Sequence, residues 1–233
     1  MPQKDYYNIE KNINKIYRGE NTNFLDPSTY KNVVNKLKNI NYNTYYPYND
    51  CDKVIIYTKE EPEIKLIEII SYDKLTHREV LGSLFGLNIS SDMFGDIIID
   101  NNHYYIMVVS SIYELIINEL NMIGNQKIKL KEVSLDIIKN YIKKYEEIEL
   151  IVSSLRIDNV ISNIIGTSRE GIKRKFLDDE IILNYEICHR LNYELKENDI
   201  FSIRRYGKYK YQGIIKETKK SNLLIKVLKY KDN

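Results

Sequence analysis

The stretch Ser154-Leu155-Arg156-Ile157-Asp158, the helix start Thr167-Ser168-Arg169-Glu170, the run Glu180-Ile181-Ile182-Leu183-Asn184, and Asp199-Ile200-Phe201-Ser202-Ile203-Arg204 decide the fold. Ile157, Val160, Ile161, Ile164 and Ile165 recur at helical spacing, and Gly166 stands where a left-handed cap would stop that helix. Thr167 and Glu170 have the spacing of a capping box for a second helix. On it Ile172 and Phe176 share one face, while Arg169 and Lys173, one turn apart, share another and aim two cations outward. Two short strands follow, and Arg205-Tyr206-Gly207-Lys208-Tyr209-Lys210-Tyr211 interleaves cations with aromatics. Paired outward cations beside aromatics suit phosphate and unpaired bases, so the segment reads as a small RNA-binding module.

The pattern resembles the alpha-L RNA-binding domain over about sixty residues, through Ser154-Leu155-Arg156-Ile157-Asp158, Ser168-Arg169-Glu170, Asn184, and Asp199-Ile200 before Ser202-Ile203-Arg204. The family usually has glycine where this chain has Asp179 and Asn198, two residue types that tolerate positive φ. The candidate RNA-contacting residues are Arg156, Ser168, Arg169, Lys173, Arg174, Asn184, Arg204, Arg205, Tyr206, Lys208 and Tyr209. Each cation taken alone is an ordinary solvated side chain; their concentration on two helices and one hairpin shifts the balance.

Upstream, Phe24-Leu25-Asp26-Pro27, then Leu75-Thr76-His77-Arg78-Glu79-Val80-Leu81-Gly82-Ser83-Leu84, then Phe94-Gly95-Asp96-Ile97-Ile98 are similar to the YlmH family of bacterial RNA-binding proteins. That resemblance spans nearly the whole chain. It implies a ribosome-associated factor that binds rRNA or tRNA on the large subunit in quality control of stalled translation. Composition and periodicity by themselves point to no such role.

The 233 residues carry a formal net charge of +2, unevenly spread. From Phe201 to Asn233 ten Lys or Arg face two acids, which leaves the first 200 residues at −6, an acidic body with a basic end suited to a polyanion. No basic-then-apolar leader opens the chain, and the most apolar region, Tyr104 to Ile117, is broken by Ser110, Ser111 and Glu114, so a cytoplasmic monomer without a membrane span is expected. Cys51 and Cys188 read as reduced thiols, and no metal or cofactor is expected.

The fold class is α+β in three parts. Residues 1–62 form a small N-terminal α/β domain, with helices at Lys4 to Arg18 and Pro27 to Lys38, Asp26 capping the second, a loop from Asn39 to Asp52, and a strand at Lys53 to Thr58. Residues 63–133 run β-α-β-β-α-β, the ferredoxin-like order. Its strands are Ile64 to Ile70, Asp96 to Asp100, His103 to Val109 and Gln126 to Val133. Its helices are Thr76 to Leu87, with a Thr76 and Glu79 capping box, and one opened by Ser111 and Glu114 that runs to Met122 and ends at Gly124. Residues 134–147 are a linker helix, and 148–233 the alpha-L domain with its basic extension.

Candidate chemistry is sparse. Asp158, although it follows an Arg-Ile pair, starts an amphipathic helix where a carboxylate suits the dipole. His77 reads as a surface residue of a first turn, and no nucleophile-and-base set is present. Gly82 and Gly86 suggest close helix-to-sheet packing, and of Tyr104 and Tyr105 alternation leaves one exposed as a stacking platform. The expected protein is an RNA binder and not an enzyme; the alternative is an RNA-modifying enzyme whose C-terminal module delivers the substrate.

Overall fold

The computed structural model describes residues 3–231, which separate into two compact units, one up to Ile142 and one of Lys143–Lys231. Both are mixed α+β.

In the first unit, α1 (Gln3–Tyr17) and α2 (Pro27–Lys36) lie against a two-stranded ribbon of β1 (Asn43–Tyr45) and β2 (Ile55–Tyr57). Asp26 caps α2, accepting from the Thr29 N–H at 2.9 Å, with Pro27 at the first helical position. Ile9, Ile13 and Ile16 of α1 bury with Leu25, Val33 and Ile56. The expected loop from Asn39 to Asp52 thus contains a strand, since Asn43, Thr44 and Tyr45 find partners in Tyr57, Ile56 and Ile55.

Next come β3 (Ile64–Ile70), α3 (His77–Gly86), β4 (Phe94–Asp100), β5 (His103–Val109) and α4 (Tyr113–Glu119). A small hairpin of β6 (Met122–Ile123) and β7 (Gln126–Lys127) precedes β8 (Lys129–Val133). The sheet order is β4-β5-β3-β8, antiparallel throughout. Thr76 and Glu79 make the capping box of α3, and Asn101 and Asn102, at φ 49° and 67°, turn the β4–β5 hairpin. Gly124, at φ 56°, turns the β6–β7 hairpin and does not end a helix: α4 has already stopped at Glu119.

Both faces of this sheet are covered. Ile67, Ile69, Tyr104, Ile106 and Val108 bury with Val80 and Leu84 of α3 and Ile116 of α4; Ile64, Leu66, Ile98, Tyr105 and Met107 bury with Phe24, Tyr48, Ile55 and Ile138. Tyr104 is 2% and Tyr105 9% exposed, so neither offers the stacking platform that alternation suggested. The expected packing role of Gly82 and Gly86 also fails: both are exposed, and nothing lies within 4 Å of where a Cβ would stand.

The segments similar to the YlmH family meet here. The Phe24 N–H donates to the Asp92 carbonyl at 2.9 Å and Leu25 pairs with Val54. A Cβ on Gly95 would lie 2.9 Å from Phe24 Cε1. Asp96 accepts from the Tyr48 hydroxyl at 2.5 Å and from the Asp52 N–H at 2.7 Å. Burial, then the Asp96 carboxylate, push the Tyr48 phenol far up. Lys53 donates to the Ser91 and Phe94 carbonyls, and burial holds its ammonium below the ordinary lysine range, opposed by Asp96 and Asp26.

The expected helix over 134–147 is a single 3-10 turn, Leu135–Ile137, then irregular chain, and its last residues, from Tyr145 on, begin a strand instead. Ile138 is buried and Tyr141 packs edge-on against Tyr48 at 5.6 Å, while Ile142 is exposed, so the apolar spacing serves two anchors and no helical stripe.

The second unit opens with β9 (Tyr145–Val152), then α5 (Ile157–Ile165) and α6 (Arg169–Leu177). Next come β10 (Ile181–Leu183), β11 (Glu186–Ile187), β12 (Ile200–Ile203), β13 (Gly207–Glu217) and β14 (Leu223–Tyr230), in the sheet order β11-β10-β12-β13-β14-β9. Ile157, Val160 and Ile161 of α5 and Ile172 and Phe176 of α6 bury against Phe201, Ile203, Tyr209, Tyr211, Ile225 and Val227. Gly166, at φ 62° and ψ 39°, ends α5 in the left-handed conformation. The cap of α6 is Ser168, whose hydroxyl accepts from the Gly171 N–H at 3.2 Å. Because the third helical residue is glycine, no capping box forms, and Thr167 lies one residue too early for the role expected of it.

Candidate nucleic-acid interface

The cations of the second unit gather where α6 meets the β12–β13 turn. Ile203 and Gly207 close that turn around Arg204, Arg205 and Tyr206. Arg205 stands at φ 72°, a left-handed conformation that costs a non-glycine residue about 1 kcal/mol or more. The Arg204 N–H donates to the Glu180 carbonyl at 3.0 Å, which ties the turn to the end of α6. Lys175 on α6 reaches the same place: its Nζ pairs with Glu180 at 2.8 Å and sits 5.0 Å from the centre of the Tyr206 ring. That Lys175 hydrogen bond, with the charges of Arg205 and Arg204 behind it, holds the Glu180 carboxyl below the ordinary range. Tyr206 is 41% exposed, and Arg169, Lys173 and Arg174 are exposed along α6.

On the opposite face of the sheet, Asn184 and Tyr185 turn the β10–β11 hairpin at φ 48° and 68°. The Lys208 ammonium lies 4.8 Å from the Tyr185 ring and 4.6 Å from the Tyr230 ring, and donates to the Tyr185 hydroxyl at 3.1 Å. Tyr145 packs edge-on against Tyr230 at 5.0 Å.

Several expected contact residues have other employment. Tyr209 is 2% exposed, stacks on Phe201 at 5.5 Å and donates its hydroxyl to the Tyr206 carbonyl, so it is core and cannot receive a base. Asn184 is spent on the fold: its amide donates to Asp199 at 2.8 Å and its carbonyl oxygen accepts from the Ile200 N–H at 2.9 Å. Arg156 forks onto Asp158 through two bonds of 3.1 and 2.7 Å, at the end of the unit away from the β12–β13 turn. Ser168 is the α6 cap. Arg169, Lys173, Arg174, Arg204, Arg205 and Tyr206 remain outward on α6 and the turn beside it, with Lys208 one strand position further on. Sequence reasoning missed Lys175, whose placement depends on Glu180 five residues on, and Tyr185, an aromatic in a turn position where glycine is easier.

Cys188 is buried, which pushes its thiol up, and its sulfur faces the Arg190 carbonyl while His189 turns out toward Asp179 at 3.6 Å. Asp179 and Asn198 stand at φ 55° and 71°, the conformation expected for residues that replace glycine. Among the described residues no group of three or more His, Cys, Asp or Glu is placed to hold a metal, and no helix is long and apolar enough to cross a membrane.

Fold and site define a class: a two-unit α+β protein whose second unit gathers cations and an exposed aromatic at one end of its sheet, as polyanion-binding surfaces do. Comparison with known proteins shows what the chain is similar to. Residues 58–137 match the family described as "Putative RNA-binding domain in YlmH". The ribosome-associated protein quality control protein P2 of Bacillus subtilis (strain 168) is 24% identical over 221 residues, 89% of this chain and 86% of that protein. The solved structure of the cell division protein ylmH from Streptococcus pneumoniae shares the fold with a TM-score of 0.50 and 20% identity, over 60% of this chain and 97% of that one. The resemblance to the YlmH family is thereby shown.

Proposed function

We propose that this protein binds RNA through α6 and the β12–β13 turn and works, without chemistry of its own, in quality control of stalled translation on the large ribosomal subunit. The observation that carries the RNA contact is the Arg204-Arg205-Tyr206 turn, with an exposed ring under the Lys175 ammonium and a left-handed arginine. Guanidinium groups suit phosphate oxygens, and Tyr206 suits an unpaired rRNA or tRNA base. The ribosomal setting is supported by the curated relative, which is named for quality control and not for a reaction.

We read the second unit as an alpha-L domain and the β4-β5-β3-β8 sheet as ferredoxin-like, with the segment before it as a layer on that sheet. The family match over 58–137 supports an RNA contact in the first unit as well. With both sheet faces covered, that contact falls on helices, loops or strand edges.

The test is co-sedimentation of the full-length protein with ribosomal subunits, parent against Arg204→Glu/Arg205→Glu. The parent is expected with the large subunit and the variant in the ribosome-free fractions; a folded variant that sediments like the parent refutes the assignment of the turn.

A further inference from the structure

The β13–β14 hairpin runs past the sheet that supports it. The β12–β13 ladder ends at Ile200 and Lys210, Tyr211 still bonds the Asn198 N–H and the Asp199 carbonyl, and from Gln212 to Glu217 β13 pairs with β14 alone. Along this stretch Ile214 and Ile215 are 50% and 45% exposed, although consecutive residues point to opposite faces. Two register shifts interrupt it, between Tyr211 and Gly213 and between Ile214 and Lys216. Bulges and a lysine are common protection for a free strand edge, and that explains Lys216. It does not explain two exposed isoleucines where protection would place charge, nor Lys219 and Lys220, which lie beyond the paired residues. The tip itself is closed by the Thr218 N–H to the Asn222 carbonyl at 2.7 Å and by the Thr218 hydroxyl, which accepts from the Asn222 N–H at 3.1 Å. Its lysines are therefore presented from a closed turn.

We propose that Lys216, Lys219 and Lys220 form a second RNA contact, held by β13 at a set distance from the Arg204–Tyr206 turn, so that the unit measures the length of an RNA stem. The proposal rests on the reading of that turn as an RNA contact. The ten residue steps of β13 place the two about 30 Å apart, a separation on the scale of one turn of an A-form RNA stem. Lysines suit the phosphates of a stem, where no base needs to be unpaired, and the isoleucines cover its sugar edges. Tyr206 and the arginines, at the other end of the strand, take the unpaired nucleotides that flank it.

The experiment measures full-length protein against two RNA hairpins with the same loop, one with a stem of about 10 base pairs or more and one half as long, across a salt series. The parent is expected to bind the long stem at least tenfold tighter. Lys216→Glu/Lys219→Glu/Lys220→Glu is expected to bind both alike, with a log–log salt slope on the long stem smaller by about 3. Lys→Gln at the same three positions, which leaves the exposed tip undisturbed, is expected to lose most of the length preference too. If either tip variant keeps both the length preference and the slope, the second contact is overturned, and the exposed isoleucines pass to a protein partner. Arg204→Glu/Arg205→Glu is expected to weaken both stems; no effect on either would refute the reading of the turn instead, a result that the tip variants cannot produce.

Discussion

Gly95→Ala sets two opposed effects against each other with the sign as the readout. A new Cβ would stand 2.9 Å from Phe24 Cε1, 3.1 Å from Phe24 Cζ and 3.2 Å from Met107 Cε. Phe24 is 2% and Met107 1% exposed, so neither has open space to move into. Overpacking of a filled core costs about 1–3 kcal/mol, whereas replacing glycine by alanine stiffens the unfolded chain and stabilises by about 0.4–1 kcal/mol. The net expectation is a loss of about 1–2 kcal/mol, equivalent to a fall in Tm of about 2–8 °C for a unit of this size. Urea denaturation followed by circular dichroism measures it. In a Phe24→Leu background the same substitution should cost at least about 0.5 kcal/mol less. Gly95→Ala that is neutral or stabilising would refute the view that the Phe94-Gly95-Asp96 segment is shaped by Phe24. RNA affinity that falls while stability holds would move the segment from packing to contact.

Three further outcomes are expected. Tyr206→Leu should weaken RNA binding by about 1–3 kcal/mol with unchanged stability, whereas Tyr209→Leu should destabilise the second unit by about 2 kcal/mol or more; titration calorimetry paired with thermal melts separates the two. Tyr48 has its phenol raised above the ordinary value by burial and then by Asp96, so its folded form holds the proton more tightly. The stability this supplies is complete below about pH 10 and is lost as the pH climbs toward the raised folded value, so Tyr48→Phe should show a flatter alkaline decline than the parent in pH-dependent urea midpoints. A fragment from Lys143 should melt cooperatively, and one from Glu149, which removes Tyr145 to Ile148 from their pairing with Val227 to Tyr230, should not.

Local signals were legible wherever one side chain decides a backbone state. Asp26, Thr76 with Glu79, Asn101-Asn102 and Gly166 each do what their chemistry predicts at that position. Facing was harder. Gly82 and Gly86 share a helix face by spacing, but spacing does not say whether that face meets the sheet, and it meets solvent. The burial of Tyr104 and Tyr105 had a readable sign, because Tyr104-Tyr105-Ile106-Met107-Val108 is apolar at every position, as strands covered on both faces are. At the candidate site the cations of α6 and those of the turn could each be read as a cluster, since each set lies within one short stretch of sequence. Asn184 and Tyr209 could not be separated from them, because their partners, Asp199 and Phe201, are brought up by the sheet.

β14 lies between β13 and β9, so a single strand carries two sets of pairings, one to the strand that leads from the β12–β13 turn and one to the strand that precedes α5. During synthesis α5, α6 and the turn emerge first, yet the sheet beneath them stays in two pieces until Leu223–Tyr230 arrives. A chain interrupted before Leu223 would carry every cation of α6 and the turn on a sheet that cannot close. The unit proposed to bind RNA is complete only once a ribosome has translated as far as Tyr230.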